Sequence, residues 1–512
     1  MKFIKSLFSR WIIISFLIIS QIICFCTIVF LFAEQYLYVS IIFEIISLLV
    51  LVGIISKSGN PNTKIPWIIV ILLVPPVGII IYGMFGNNYV SKKHRSLYQS
   101  AKDRQKNVIT IDKECLKELE NYSEKYLRQS NYIYNTTGDP IYKNTNMKYL
   151  KDGMDYFDNL FEDLNNAKKF IFLEYFILGE GKLLDKTIDI LTKKVKEGVD
   201  VRVIYDDIGS IKVLPYNFDK KLNELGIKCI KFNKYYPIAS VVYNNRDHRK
   251  LAIIDGYVGY TGGVNIADEY ANIKERFGHW KDSGIRLYGQ AVQSMTLMFL
   301  KTWDIYSNSK TRYKDFIPQN YDEEIFKSDG FVQPYGDGPY PVYEHAVAEN
   351  VYLNLINQAN KYIYITTPYL IVDHMLMSAL EAASLRGVEV IIITPSIPDK
   401  KIVFQETRDS YRSLIKAGVK ILEYQPGFIH AKNVIVDDEA CVLGTINFDY
   451  RSLVHHFENA CLIINSSIIE DVKKDFIETM NSSLAPSKKV YSRRGLFARI
   501  YFGILKFFAP LM

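Results

Sequence analysis

The sequence predicts an α/β protein made of two similar halves and preceded by N-terminal transmembrane helices. Three observations lead to this fold class. The chain has 512 residues, which is too long for a single ordinary core. Its first 86 residues are mostly apolar, whereas the remainder has the composition of a soluble protein. From about residue 131, one order of short apolar runs and helical stretches occurs twice.

Three apolar runs in the N-terminal region, 11–32, 36–56 and 65–85, are each long enough to cross a bilayer. The third run is interrupted by Pro75 and Pro76, which predicts a kink or a re-entrant segment. Basic residues flank the region on both sides: Lys2, Lys5 and Arg10, then Lys92, Lys93 and Arg95. This charge pattern predicts cytoplasmic flanks and an even number of crossings, without indicating which run fails to cross.

The formal net charge of +7 is concentrated just after the apolar region and near the C-terminus. This distribution suits an anionic membrane surface better than a nucleic-acid groove. The segment 488–512 mixes basic and large apolar residues, so a helix on the membrane and a helix on the protein core both remain open. The six cysteines contain no Cys-x-x-Cys pair, which predicts reduced thiols rather than zinc ligands or a disulfide framework.

The repeat is visible in the strand-like stretches. KKFIFLEYFI and VDVRVIYDD are separated by a helix-like stretch, and so are KYIYITTPYLI and VEVIIITPS. One motif, His-x-Lys-x-x-x-x-Asp, follows in both copies, as His248, Lys250 and Asp255 and as His430, Lys432 and Asp437. An asparagine follows each histidine by 17 residues, at Asn265 and Asn447. A single motif of this kind is a weak signal, but two copies at matching positions indicate a functional site.

The local geometry agrees with this interpretation. Residues two apart on a strand point to the same face, so His248 and Lys250 are expected to project together, and the second pair likewise. The apolar residues 251–254 are typical of a strand that is buried on both faces. A glycine-containing turn can then return Asn265 or Asn447 to the same site.

These stretches resemble the phospholipase D superfamily, which is defined by two copies of this motif, and most of all the bacterial cardiolipin synthases. The similar stretches are NRDHRKLAIIDGYVGYTGGVNIADEY, FGHWKDSGIRLYGQAV, ITTPYLIVD, FIHAKNVIVDDEACVLGTINFDYRS and, near the N-terminus, IPWIIVILLVPPVGIIIYGMFG. The resemblance implies that each half is a mixed β-sheet flanked by helices. It also implies that the halves pack with pseudo-two-fold symmetry, which brings both motifs into one site.

The resemblance further implies a role for each candidate residue. His248 is assigned as the nucleophile and His430 as the general acid and base. Four side chains are expected to bind the phosphate oxygens: Lys250, Lys432, Asn265 and Asn447. Asp282 is expected to orient His248, and Glu458 to orient His430. Asp255 and Asp437 belong to the catalytic motif, and we expect them to stabilise the fold around it. No metal or cofactor is expected.

The chain departs from the family pattern at three positions. Asp247 stands where asparagine is usual, Lys281 where arginine is usual, and His456 where asparagine commonly precedes Phe457-Glu458. We expect His279, His455 and His456 to lie on the surface or to support the catalytic residues from behind, without contacting the substrate. Tyr369 could line the lipid pocket, although packing at a strand end is the commoner role of such a residue.

The predicted reaction is phosphatidyl transfer between two phosphatidylglycerol molecules, giving cardiolipin and glycerol. Hydrolysis, or transfer to another alcohol, is the alternative. A nuclease is disfavoured by the apolar segments, and a non-catalytic scaffold by the two complete motifs. The expected partners are phosphatidylglycerol and anionic membrane lipids, not nucleic acid, and the oligomeric state is left open. The expected location is the bacterial plasma membrane, with the catalytic region on its cytoplasmic side.

The predicted boundaries divide the chain into five segments. These are a membrane region (1–90), a basic connector (91–130), a first half (131–318), a second half (319–487) and a basic amphipathic C-terminal segment (488–512).

Overall fold

The structure is a computed structural model. It describes residues 37–57, 61–86, 92–106, 108–235, 245–319, 328–492 and 495–508, together with the single positions 19, 20, 23, 24, 26, 27, 31, 321 and 326.

The N-terminal region forms three apolar helices: α1 (Leu37–Ser56), α2 (Pro61–Leu73) and α3 (Pro75–Phe85). The predicted run 65–85 is divided at Val74, because the two prolines that follow cannot continue α2 and instead begin α3. Leu51, Ile54 and Ile71 pack the three helices together. Among the residues described here, no helix has both the length and the hydropathy that crossing a bilayer requires. Most of the predicted run 11–32 lies outside the described residues.

The connector contains the helices α4 (Lys92–Gln105), α5 (Lys113–Tyr122) and α6 (Glu124–Thr137). These helices contact both halves of the molecule. Arg104 on α4 forms an ion pair with Asp304 of the first half at 2.8 Å. Lys125 on α6 forms an ion pair with Glu439 of the second half at 2.6 Å. The connector is therefore packed against the folded halves along much of its length.

The first half is a seven-stranded mixed sheet in the order β1-β8-β6-β5-β2-β3-β4. Strands β2, β3 and β4 are parallel, whereas β5 runs antiparallel to β2 and begins an antiparallel part of the sheet. The strands are β1 (Thr145–Leu150), β2 (Phe170–Tyr175), β3 (Asp200–Asp206), β4 (Lys228–Phe232), β5 (Lys250–Ile254), β6 (Val258–Gly262), β7 (His279–Lys281) and β8 (Gly284–Gly289). The helices are α7 (Gly153–Asn166), α8 (Lys182–Lys196), α9 (Asp207–Ser210), α10 (Phe218–Glu224) and α11 (Val292–Ser307).

The second half repeats this topology in an eight-stranded sheet, β19-β13-β12-β10-β15-β16-β18-β9. Its strands are β9 (Phe331–Asp337), β10 (Tyr362–Thr366), β11 (Leu370–Ile371), β12 (Glu389–Pro395), β13 (Lys420–Tyr424), β14 (Gly427–Ile429), β15 (Asn433–Val436), β16 (Ala440–Gly444), β17 (Phe448–Asp449), β18 (Glu458–Ile464) and β19 (Ser483–Leu484). Its helices are α12 (Val347–Gln358), α13 (His374–Leu385), α14 (Lys401–Lys416) and α15 (Ile468–Asn481). Strands β10, β12, β13, β15, β16, β18 and β9 correspond in order to β2, β3, β4, β5, β6, β8 and β1, which confirms the predicted repeat.

The two halves are joined by backbone pairing at equivalent places. The His248 N–H donates to the carbonyl of Phe457 at 2.8 Å, and the His430 N–H donates to the carbonyl of Lys281 at 2.6 Å. A short parallel pair between β7 and β14 adds to this seam. Each motif histidine is therefore paired with the residue that immediately precedes Asp282 or Glu458 in the other half.

The C-terminal segment forms α16 (Lys488–Tyr491) and α17 (Leu496–Phe508). Helix α17 contacts α14 of the second half, where Lys506 forms an ion pair with Asp409 at 2.9 Å. Its other face leaves Leu496, Phe497 and Ile500 exposed. A helix on the protein core and a helix on the membrane are therefore compatible alternatives. One face of α17 packs on the protein, and the other face exposes apolar side chains.

Candidate active site

The two motif histidines lie immediately before the central strands β5 and β15 of their sheets. Both are buried, each with 7% of its surface exposed. Cross-half backbone pairing fixes their main chains, so the imidazoles are held at the seam between the halves. The predicted convergence of both motifs on one site is therefore present in the fold.

Each imidazole is bound by a buried carboxylate from the opposite half. His248 Nδ1 lies 2.9 Å from Glu458 Oε2, and His430 Nδ1 lies 2.7 Å from Asp282 Oδ2. The prediction named the right carboxylates but the wrong pairs, since it joined Asp282 to His248 and Glu458 to His430. The exchange has a physical cause: each motif strand pairs with the segment that carries the other half's carboxylate.

The carboxylates are themselves held in place. Thr445 Oγ1 donates to Glu458 Oε2, and the Ser283 N–H donates to Asp282 Oδ1 at 2.9 Å. Because each carboxylate binds Nδ1, the Nε2 atom of each imidazole is left for chemistry.

The electrostatic surroundings of the two histidines differ. Burial lowers the pKa of His248 well below its usual range, and the nearby Lys250 and Lys432 lower it further. Burial also lowers the pKa of His430, to about 4, but there the Asp282 carboxylate opposes the shift. Burial therefore favours the neutral form of both rings at pH 7 in the free protein.

The motif lysines are also buried. Lys250 Nζ donates to the carbonyl of His248 at 2.5 Å, and Lys432 Nζ donates to the carbonyl of His430. Burial lowers the pKa of Lys250 to about 7 and that of Lys432 to about 8. An anion placed between the two ammonium groups would offset part of the free energy that it costs to bury their charges. The pair therefore suits a phosphate group.

The two asparagines have unequal surroundings. Asn265 Oδ1 accepts from the Ile177 N–H at 2.9 Å, and its Nδ2 donates to Tyr270 at 2.8 Å. Asn447 Nδ2 donates to Asp449 Oδ2 at 3.3 Å, and its Oδ1 is buried without a hydrogen-bond partner in the described part of the chain.

The motif aspartates bind the backbone and do not join the histidine pair. Asp255 accepts the N–H groups of residues 168, 169 and 170, and Asp437 accepts those of residues 360, 361 and 362. Both follow the far end of the motif strand and have positive φ angles, of 53° and 57°. Their contacts therefore differ from those of the catalytic residues with which they were grouped, and their role in stabilising the fold stays a prediction.

Comparison with known proteins agrees with this geometry. The family described as "Cardiolipin synthase, PLD-like domain" matches residues 160–285 and 352–480. A second family, described as "Phospholipase D-nuclease N-terminal", matches residues 45–87. A cardiolipin synthase of Oceanobacillus iheyensis is 34% identical over 464 residues, covering 90% of this chain and 95% of that protein. The chain belongs to the phospholipase D-like cardiolipin synthase family.

Other relatives extend the comparison. The major cardiolipin synthase ClsA of Bacillus subtilis is 34% identical over 486 residues, covering 92% of this chain and 98% of that protein. An uncharacterized protein of Streptococcus mutans is 40% identical over 459 residues, covering 90% of this chain and 98% of that protein. The crystal structure of a phosphatidylserine synthase from Haemophilus influenzae has a TM-score of 0.55 at 15% identity, covering 75% of this chain and 98% of that one, which shows a shared fold.

His456, one of the departures from the family pattern, lies beside His248. It is 8% exposed, its ring centroid is 5.5 Å from that of His248, and its Nδ1 is 3.8 Å from Glu458 Oε1. Burial lowers the pKa of His456 to about 3, so its ring is neutral. Of the two predicted places for His456, the surface and the surroundings of the catalytic residues, the structure has the second: His456 is buried beside the carboxylate that binds His248. In the sequence, its position directly before Phe457-Glu458 was the feature that indicated a place near the site.

The remaining predicted positions lie around this centre. Asp247 accepts from Arg249 Nε at 2.9 Å, and Lys281 Nζ lies 2.6 Å from Asp475. Both departures thus form buried ion pairs. His279 contacts Tyr424 at 3.0 Å on the seam, and Tyr369 donates to Asp399 at 2.6 Å.

Proposed function

We propose that the protein is a cardiolipin synthase that transfers a phosphatidyl group from one phosphatidylglycerol to another and releases glycerol. The observation that carries the proposal is the pair of buried imidazoles, each held through Nδ1 by a carboxylate of the opposite half. The cardiolipin synthases among its relatives support it. Exchange of one phosphodiester for another requires no nucleotide.

In the first step, His248 Nε2 attacks the phosphorus of the donor lipid. The N–P bond forms as the bond from phosphorus to the glycerol oxygen breaks, and His430 gives its proton to that oxygen. In the second step, neutral His430 takes the proton of the acceptor hydroxyl, whose oxygen attacks phosphorus and releases His248. The Asp282 carboxylate raises the pKa of His430 against the effect of burial, which supports its role as the acid, and burial favours the neutral form of His248, which supports its role as the nucleophile.

Four side chains stabilise the charge that develops on the phosphate oxygens. We assign this role to Lys250 and Lys432, with the remaining amide hydrogens of Asn265 and Asn447. The negative phosphodiester favours the protonated forms of both lysines and of His430. Binding of the donor lipid therefore favours the protonation states of the lysines and of His430 on which the reaction depends.

We also propose that the protein acts at the bacterial plasma membrane, with its catalytic halves on the cytoplasmic side. The basic cluster at residues 92–95 directly follows the apolar helices. Helices α2 and α17 line a cavity of about 750 Å³ together with α13 and α14. Reporter fusions after residue 100 test the orientation, and a signal from the outer side of the membrane would contradict it.

The deciding experiment uses purified protein and phosphatidylglycerol vesicles, with the lipid products identified by mass spectrometry. We expect cardiolipin and free glycerol in equal amounts. His248→Ala protein serves as the inactive control. Phosphatidic acid as the sole product would instead indicate hydrolysis, and the proposal of a synthase would be withdrawn.

A further inference from the structure

The second half contains a polar pair that the first half lacks. Two residues after Asn447 the chain has Asp449, whereas two residues after Asn265 it has Ala267. Asp449 is 7% exposed, and its Oδ1 accepts from the Ser452 N–H at 2.8 Å. Its Oδ2 accepts from Asn447 Nδ2. The two halves of the otherwise similar site therefore differ at this position.

Asp449 determines how the amide of Asn447 is oriented. A carboxylate only accepts hydrogen bonds, so the NH₂ group must face Asp449 and the carbonyl oxygen must face away. That oxygen is buried without a partner in the described part of the chain. Asn265, in contrast, uses both its oxygen and its nitrogen within the protein. A buried acceptor without a donor is unusual, and a ligand with a hydroxyl group would satisfy it.

The charges around Asp449 indicate the kind of ligand. Burial raises the pKa of Asp449, the nearby Glu458 raises it further, and Lys400 and Arg451 lower it. Lys432 also lies close enough for the two charges to interact. These three cations compensate the carboxylates of Asp449 and Glu458, so the pair does not need a positively charged ligand. A neutral alcohol that donates hydroxyl hydrogens therefore suits the pair.

We propose that Asn447 Oδ1 and the Asp449 carboxylate form a subsite for the hydroxyl groups of a glycerol head group. This inference rests on the proposed function. One residue, His430, protonates the leaving alcohol and then deprotonates the acceptor, so both alcohols occupy the same place in turn. A hydroxyl bound by Asn447 lies next to an amide that also contacts the phosphate, which aligns the acceptor with phosphorus. The subsite therefore selects polyols over alcohols with a single hydroxyl.

The test isolates the acceptor step. The donor is a phosphatidyl ester of a low-pKa phenol, whose leaving group makes no use of a polyol subsite. Glycerol and ethanol compete as acceptors at equal concentrations, and the ratio of phosphatidylglycerol to phosphatidylethanol is measured. Both products come from one intermediate, so partial loss of folded protein changes their amounts but not their ratio. We expect wild-type protein to favour glycerol.

Asp449→Asn keeps an oxygen for the Ser452 N–H and removes the charge. We expect it to lower the glycerol-to-ethanol ratio about tenfold, because hydroxyl selection depends on polar partners in the site. Asp112→Asn is the matched control, since Asp112 also accepts an N–H three residues ahead, from Cys115 at 3.2 Å, in the connector. That variant should keep the wild-type ratio.

The outcomes separate this inference from the proposed function. If wild-type protein releases the phenol but transfers nothing to any alcohol, the proposed transferase function fails. If it transfers well while Asp449→Asn keeps the wild-type ratio, the subsite is refuted and the transferase remains. An equal change in Asp112→Asn, or a wild-type preference for ethanolamine over glycerol, would also refute the subsite.

Discussion

Glu458 and His248 are 210 positions apart and belong to different halves, yet the carboxylate lies 2.9 Å from the imidazole Nδ1. The reciprocal pair, Asp282 and His430, spans 148 positions at 2.7 Å. Each half therefore supplies one motif histidine and also the carboxylate that binds the other half's histidine. Neither histidine has its complete surroundings until the two sheets have docked.

The first prediction concerns this crossed arrangement. Glu458→Gln keeps the size of the side chain but can hold His248 in the wrong tautomer, which places the proton on Nε2. We expect kcat to fall by roughly 10²–10⁴, as such replacements do when a carboxylate orients a catalytic histidine. Steady-state kinetics and a thermal melt measure activity and folding separately. Glu439→Gln, which removes a surface ion pair to Lys125, is the control and should retain kcat. An unchanged kcat in Glu458→Gln would contradict the role of the carboxylate.

Much of this fold and site could be predicted from the sequence because the repeat and the resemblance to a known family complement each other. Two apolar strand patterns, two motifs and two equally spaced asparagines indicate the repeat, whereas the mixed sheets and the convergence of the histidines on one site were implied by the resemblance. The pairing of carboxylates could not be predicted, since Asp282 and Glu458 follow their motifs at similar places and the repeat is nearly symmetric. Only the docking of the halves shows that His248 contacts Glu458.

The second prediction concerns pH. Burial lowers the pKa of Lys250 to about 7 and that of Lys432 to about 8, so each ammonium is charged below its pKa and neutral above it. The free enzyme thus loses its phosphate-binding charges as pH rises through 7 to 8, and the fall of kcat/KM with pH should become steeper there. Bound phosphodiester stabilises the charged lysines, so kcat should fall only at higher pH. Kinetics across pH 6–10, with melts at each pH to exclude unfolding, provide the test. A kcat/KM that stays flat to pH 10 would contradict it.

The third prediction separates stability from catalysis. Asp437 accepts three backbone N–H groups, and in Asp437→Asn the amide NH₂ would face donors. We expect the free energy of unfolding to fall by about 2–4 kcal/mol, while activity per folded molecule is largely kept. The control is the adjacent Asp438→Asn, whose side chain is 54% exposed and pairs with Lys473, and which should lose less than about 1 kcal/mol. Denaturant unfolding monitored by circular dichroism measures both. Equal loss of stability in the two variants would contradict the structural role of Asp437.

The fourth prediction concerns metal ions. In the proposed mechanism two lysines and two asparagines bind the phosphate oxygens, and Lys250, Lys432 and Lys400 all act on His248 electrostatically. A divalent cation placed there would be repelled by these charges. We expect phosphatidyl transfer to persist after treatment with EDTA, assayed in detergent micelles so that divalent ions do not alter an anionic membrane. Complete loss of activity that is restored only by adding a metal would contradict this description of the phosphate site.

The last prediction separates the two histidines. If His248 is the nucleophile, His248→Ala cannot form a covalent phosphatidyl intermediate, whereas His430→Ala loses mainly the proton donor. That loss typically costs about 10²–10⁴ in rate, and a phenolate leaves without protonation, so a low-pKa phenyl ester should largely bypass it. After reaction with this ester and a quench in base, we expect lipid phosphate on His430→Ala protein and none on His248→Ala protein. Labelling of His248→Ala alone would exchange the two roles. If wild-type protein is labelled and neither variant is, each histidine is needed to position the other, and the division of roles proposed here is wrong.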